Sequence, residues 1–278
     1  MNYAVIGDIH ANIFALDSCL DSIEKFENNR NTKLDRIFFI GDLLTYGVNI
    51  NQTLARLIEF KKTHKVEFIM GNHDEMYFKL LKGEKSIYFD QMADWIKISV
   101  ESTLKEIDTK LFNSIKMKKA ITLGNVLICH ANCLILNSSN KNKWVYIDSY
   151  KSYLEEAFRL SKTNFKLAVY GHTHRRKIFF RNNQKEILFI ENPNFHQYSF
   201  NISKSSLLIL NTGSIGQPRS FNDLRNAWLY IKEDSFTNKF IFRYVDFDYD
   251  TDKYLNSIRK KYESNLETYE RIKIFFKK

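Results

Sequence analysis

Proline is nearly missing from this chain, with two residues in 278, and glycine is sparse at nine. No stretch combines proline, glycine and serine, so a flexible linker between domains is not expected. Internal repeats and low-complexity segments are absent as well. Cys19, Cys129 and Cys133 are an odd number without metal-type spacing, which excludes a disulfide framework and fits buried thiols in a reducing cytoplasm. No apolar run approaches the ~18 residues of a membrane span. The amino terminus opens on a strand-like Tyr3-Ala4-Val5-Ile6 and lacks the basic and apolar regions of a secretory signal. A cytoplasmic location with no membrane partner is therefore expected.

What is present is core-forming material. Hydrophobic residues make up 44% and aromatics 15%, which indicates a folded globular chain with ample core. A single domain spanning residues 1–278 is expected. The net charge of +10 permits attraction to phosphates or nucleic acid, but the basic residues are scattered and select neither.

The first half alternates strand and helix. Residues 3–6, 36–40 and 66–70 read as buried strands, with helices between them. Asn12 is a candidate N-cap for the first helix, whose Leu16, Leu20, Ile23 and Phe26 share one face. Alternation of this kind implies right-handed parallel crossovers. Residues 76–118 interrupt it with two or three amphipathic helices carrying Trp95, Leu104, Leu111 and Ile115, either a wall for a site or plain decoration. Strands resume at 125–129 and 167–170, separated by a helix over 144–160. The remainder is mostly β, with a hairpin around Asn182-Asn183 and antiparallel strands at 227–231 and 240–245. A closing helix over 254–276 presents Leu255, Ile258, Tyr262, Leu266, Tyr269 and Ile272 on one face, ahead of a basic tail at 273–278.

Polar residues gather where these strands end. Gly7-Asp8-Ile9-His10 follows the first strand, Gly41-Asp42 the second and Gly71-Asn72-His73-Asp74 the third. His130 follows the strand at 125–129, and Gly171-His172-Thr173-His174 the one at 167–170. Five of the seven histidines thus stand just past strands. Carboxyl ends of strands are where open α/β sheets place ligands. Asp8 and His10, two apart in extended chain, can point the same way. Carboxylates mixed with imidazoles suit a divalent transition metal. A purely structural reading would bury many unpaired polar groups at ~1–3 kcal/mol each.

GDIH, GDLLTYG, GNHD, CHA and GHTH, in this order, resemble the calcineurin-like metallophosphoesterase superfamily, and NTGSIGQPR is similar to its small bacterial and diadenosine-tetraphosphatase-like branch. The resemblance covers residues 3 to about 232 and implies an α/β fold, a four-layer α/β/β/α sandwich. It implies two divalent ions (Mn, Fe, Zn or Ni). Asp8, His10, Asp42 and His174 would hold one ion, and Asp42, Asn72, His130 and His172 the other. In such sites a hydroxide bridging the ions attacks the phosphoryl group in line. His73 would protonate the leaving oxygen, with Asp74 orienting its ring, and Arg175 and Asn72 would meet the substrate phosphate. Two departures stand out: Ala131-Asn132 follows His130 where the branch has glycine, and Ser220-Phe221-Asn222-Asp223 replaces a glycine-aspartate pair.

The expected function is metal-dependent hydrolysis of a phosphorylated small molecule or nucleotide, as a phosphatase or phosphodiesterase. The alternatives are a nuclease or protein phosphatase using the same metals, with nucleic acid as the partner in the first case, and a non-catalytic scaffold. A scaffold would be expected to have lost ligands, and this chain retains the full set.

Overall fold

The computed structural model describes residues 1–137, 144–203, 205–219, 225–234, 236–237 and 239–276. Its strands are β1 (Asn2–Ile6), β2 (Arg36–Phe39), β3 (Val66–Ile69), β4 (Met117–Lys118), β5 (Ala120–Leu123), β6 (Val126–Cys129), β7 (Leu167–Tyr170), β8 (Arg176–Arg181), β9 (Ile187–Glu191), β10 (Gln197–Asn201), β11 (Leu207–Thr212), β12 (Asn226–Asp234) and β13 (Lys239–Phe247). The helices are α1 (Ile13–Arg30), α2 (Ile50–Thr63), α3 (Asn72–Leu80), α4 (Ile87–Asp90), α5 (Asp94–Glu106), α6 (Thr109–Ser114), α7 (Tyr150–Leu160), α8 (Thr251–Lys261) and α9 (Leu266–Lys273).

Two sheets result. One runs β10-β13-β12-β1-β2-β3-β4, with β1 to β4 mutually parallel; the other runs β5-β6-β7-β11-β8-β9, with β6, β7 and β11 parallel. The apolar runs are continuous because both faces of the central strands are buried. Alternate residues divide between two cores. Val5, Phe38, Ile128, Val169 and Leu210 point into the layer between the sheets. Ala4, Ile6, Ile37 and Phe39 face α1 and α2, while Leu127, Ala168 and Ile209 face α7. The outcome is the α/β/β/α sandwich. Among the described residues no helix is long and apolar enough to cross a membrane.

Several elements differ from the sequence reading. The expected helix over 144–160 begins only at Ser149, whose hydroxyl caps α7 by accepting from the Ser152 N–H, so Trp144 to Asp148 form a loop. The closing helix is two helices, parted at residues 262–265 with Asn265 capping α9. Lys277 and Lys278 of the basic tail lie outside the described residues. The excursion contains α4, α5 and α6, and the helix before them starts at Asn72 itself, so Asn72, His73 and Asp74 form a first helical turn rather than a loop. Cys19 and Cys129 are buried thiols, as expected, with Cys133 half-buried.

Gly71 also acts otherwise than its position suggests. Its φ of −90° is open to any residue, so the turn does not need glycine's conformational freedom. Space is what it supplies: a Cβ there would stand 2.2 Å from Asp42 Oδ1 and 2.5 Å from the Asp42 backbone nitrogen. G71A is therefore expected to force β3 away from the Asp42 loop and to lower unfolding free energy by about 1–3 kcal/mol. Denaturant titration with an unchanged midpoint would show that the contact yields freely.

Candidate metal centre

The parallel strands of both sheets deliver their carboxyl ends to one place. β1 contributes Asp8 and His10, β2 Asp42, β6 His130, and β7 His172 and His174. Asp8, His10, Asp42 and His174 bring one ligand atom each within 4.8 Å of one another, and Asp42, His130 and His172 do the same. Asp42 belongs to both groups. Asn72 joins the second, with Oδ1 2.9 Å from His130 Nε2. All seven side chains are buried.

The backbone is bent to achieve this. Asp8 (φ 26°), His10 (51°), Asp42 (51°), His172 (64°) and His174 (60°) all occupy the left-handed region. The Asp8–His10 pair is thus not the extended dipeptide the spacing suggested. Non-glycine residues there cost of order 1–3 kcal/mol each and persist only where surrounding contacts fix them. Here the N–H groups of Ile9 and His10 both donate to the Asp42 carbonyl, and Gly216 N–H and Ser214 Oγ donate to the Asp8 carbonyl.

The donor atoms fit metal ions for a specific reason. Each imidazole has its outer nitrogen tied to a backbone carbonyl: His10 Nδ1 to Leu44, His174 Nδ1 to Gln217, His130 Nδ1 to Ile40, and His172 Nε2 to Trp144. A carbonyl only accepts, so the outer nitrogen carries the proton and the inner one presents a lone pair when the ring is neutral. The inner nitrogens then face each other, His10 Nε2 to His174 Nε2 at 3.1 Å and His130 Nε2 to His172 Nδ1 at 3.1 Å. Where the rings are neutral, lone pairs opposed beside two carboxylates favour a cation among them. Cys129 and Cys133 take no part.

Charge follows burial and neighbours. Burial drives His10 and His172 down to about 3 and His174 well below its ordinary value, so all three are neutral, the ligating form. Burial works against the Asp42 charge too, but His130, His73 and His10 outweigh it and hold the carboxyl well below the usual range. Burial, with Asp42 adding repulsion, pushes Asp8 up to about 8 against the pull of His130. His130 rises to about 9, because Asp42 and Asp8 overcome its burial. Without a cation, a proton is held in the gap beside Asp42.

His73 stands at the edge of the cluster. Its Nδ1 shares a hydrogen bond with Thr45 Oγ1 at 3.0 Å, and that hydroxyl shares another with Tyr77 Oη at 2.8 Å. Asp74 does not orient it, contrary to expectation. Its carboxylate accepts from the backbone N–H groups of Asp42 (2.8 Å), Leu43 (3.0 Å) and Gly71 (2.9 Å), which places it under the Asp42 loop as an anchor at the start of α3. Arg175 also departs from expectation. Asp148 pairs with its Nη1 and its Nε donates to the Arg219 carbonyl, so it braces the loop beneath the site. Thr45 and Tyr77 were not singled out as site residues, since neither hydroxyls on a loop nor helix tyrosines carry a signal by themselves.

Aromatic rings line the imidazoles. Tyr46 lies edge-on to His10 at 4.8 Å, Tyr88 of α4 to His73 at 5.6 Å, and Trp144 to His130 at 5.7 Å, while Tyr146 stacks on His172 at 4.1 Å. The 76–118 excursion therefore supplies part of the wall through Tyr88. Asn132, one of the two departures, donates to the Val145 carbonyl and so fixes the loop bearing Trp144 and Tyr146. The other departure, Ser220 to Asp223, lies outside the described residues.

Comparison with known proteins agrees with this geometry. A chain of Methanocaldococcus jannaschii, the uncharacterized protein MJ0912, is 26% identical over 218 residues, or 78% of this chain and 76% of its own. Among solved structures, a metallophosphoesterase from Sphaerobacter thermophilus superposes with a TM-score of 0.67 at 18% identity, covering 99% of this chain and 100% of that one. A hypothetical protein of Pyrococcus horikoshii, PH1004, gives 0.64 at 13%, covering 98% and 97%. At such identities these two show a shared fold. A sequence model described as calcineurin-like phosphoesterase matches residues 1–176, a span that contains Asp8, His10, Asp42, Asn72, His130, His172 and His174. The chain belongs to the calcineurin-like phosphoesterase family.

Proposed function

We propose that this protein hydrolyses phosphoesters of small molecules or nucleotides with two divalent cations, one held by Asp8, His10, Asp42 and His174 and the other by Asp42, Asn72, His130 and His172. The observation that carries this reading is the pair of opposed imidazole nitrogens on either side of Asp42. Cations at such a site supply Lewis acidity toward the phosphoryl group and lower the pKa of water. Imidazoles mixed with carboxylates favour Mn, Fe, Zn or Ni over an all-oxygen calcium site.

The chain's own groups do the rest. His73 is the candidate general acid, giving a proton from Nε2 to the leaving oxygen. Burial keeps its pKa down at about 4, and the uncharged Thr45 hydroxyl does nothing to raise it electrostatically. A phosphate dianion bound alongside would favour the protonated ring. Thr45 then accepts from Nδ1–H and passes its own hydrogen to Tyr77 Oη, which fixes the ring without adding charge. Asp74 acts through the backbone: it holds Asp42 and Gly71 in register.

Asp42 touches both groups of ligands, so D42N is expected to lose metal by elemental analysis. Its turnover should fall by more than the roughly 10–100-fold typical of outer-shell changes at metal sites. Full activity in excess chelator would refute the metal-dependent reading.

General acid catalysis typically supplies ~10²–10⁴-fold. H73A should therefore cost far more with an alkyl or nucleoside monophosphate than with p-nitrophenyl phosphate, whose leaving group departs as an anion. T45V should show the same leaving-group dependence at smaller size, with T45S close to wild type. D74N should instead lower activity alike for both substrates. Equal losses in H73A across leaving groups would remove the general-acid role.

A further inference from the structure

One strong charge in the pocket has no role so far. Arg219 follows the loop after β11, and its guanidinium acts electrostatically on Asp8, His10, His73 and His174. Two backbone contacts fix its place beside the cluster. Its N–H donates to the His174 carbonyl at 3.2 Å, and its own carbonyl accepts from Arg175 Nε at 3.2 Å. Its direct contacts are with neutral groups, while the Asp8 carboxylate acts on it only through space. Nη2 donates to Gln217 Oε1 at 2.8 Å, the Phe275 ring lies 4.9 Å from its carbon, and the phenols of Tyr46 and Tyr146 are its electrostatic neighbours. The Nε is buried without a hydrogen-bond partner.

Nearby cations are treated differently. Arg175 pairs with Asp148, and Lys177 with Asp148 and Glu191. Among the described residues no carboxylate forms an ion pair with Arg219. A half-buried guanidinium whose Nε–H is buried and unused is costly unless an anion completes it. Its planar fork matches the oxygens of a phosphate. A phosphomonoester carries up to two negative charges over three non-bridging oxygens, a diester one charge over two.

We infer that Arg219 is a substrate-binding residue whose guanidinium takes the non-bridging oxygens of a terminal phosphate, so that phosphomonoesters are preferred over diesters. This deepens, and rests on, the phosphoesterase reading of the same site. Gln217 holds the fork in place without neutralising it, and Phe275 covers its face. The residue at the C-terminal edge of the described chain thereby contributes to the site.

The test uses the full chain reconstituted with Mn²⁺, comparing wild type, R219Q, R219K and the surface control K162Q. Orthophosphate affinity by calorimetry is read beside kcat/KM for phenyl phosphate and for a phenyl alkyl diester. R219Q should weaken orthophosphate roughly 10–100-fold, the range for a hydrogen bond to a charged group. R219K should fall between R219Q and wild type, and K162Q should be unchanged. In R219Q, kcat/KM should fall more for the monoester than for the diester, with metal content retained. Unaltered orthophosphate affinity, or equal losses on the two esters, overturns the inference while leaving phosphoester hydrolysis intact. If wild type cleaves neither ester but loses orthophosphate on R219Q substitution, the anion subsite stands and the phosphoesterase reading fails. R219K, which keeps the charge, decides the matter should R219Q fail to fold, as judged by its thermal melt without ligand.

Discussion

His10 and His174 point their inner nitrogens at each other across 3.1 Å, and His130 and His172 do the same on the other side of Asp42. In a buried site such an arrangement favours positive charge between the rings. The carbonyls of Leu44, Gln217, Ile40 and Trp144 enforce it by tying every outer nitrogen. Rotating any ring to relieve the repulsion would strand a buried carbonyl. The orientation of the candidate ligands is therefore built into the backbone, one layer outside them.

Those carbonyls come from both sheets, which is why the sandwich matters. Ile40 and Leu44 belong to the loop after β2 in the first sheet, yet Ile40 orients His130 of the second. Gly216 and Ser214, after β11, donate to the Asp8 carbonyl at the end of β1. His172 N–H donates to the Asp8 carboxylate. The left-handed bends are held both by neighbouring loops of the same sheet, as Asp42 holds Ile9 and His10, and by loops of the opposite sheet. The shared apolar layer of Val5, Phe38, Ile128, Val169 and Leu210 sets the distance between them. Local strain is tolerated because contacts distant in sequence fix it.

The edges of the site are organised by neutral partners. His73 leans on a threonine and a tyrosine, Arg219 on a glutamine, and the imidazoles on aromatic rings. Burial consequently dominates the titration of His73, and among the described residues no carboxylate forms an ion pair with Arg219. Carboxylates stand among the candidate metal ligands or, like Asp74, anchor backbone N–H groups. Electrostatic demand is thereby concentrated on whatever anion enters.

Sequence determined the strands and the ligand types. Runs such as Tyr3 to Ile6 and Leu167 to Tyr170 are apolar on both faces, which is a local and periodic signal, and the glycine-led motifs mark where they end. The α1 face of Leu16, Leu20, Ile23 and Phe26, with its Asn12 cap, was equally legible, because helix periodicity and capping act within a few residues. Tertiary structure decided the partners. That Asp74 serves backbone amides, that Thr45 and Tyr77 hold His73, and that Asp148 and the Arg219 carbonyl claim Arg175 are contacts across 27 to 44 residues. The 144–160 apolar pattern is helical only from Tyr150: Trp144 meets His130 and Glu75, both distant in sequence. Side-chain chemistry is written locally, but which donor meets which acceptor depends on the distance between two sheets, and no spacing along the chain encodes that.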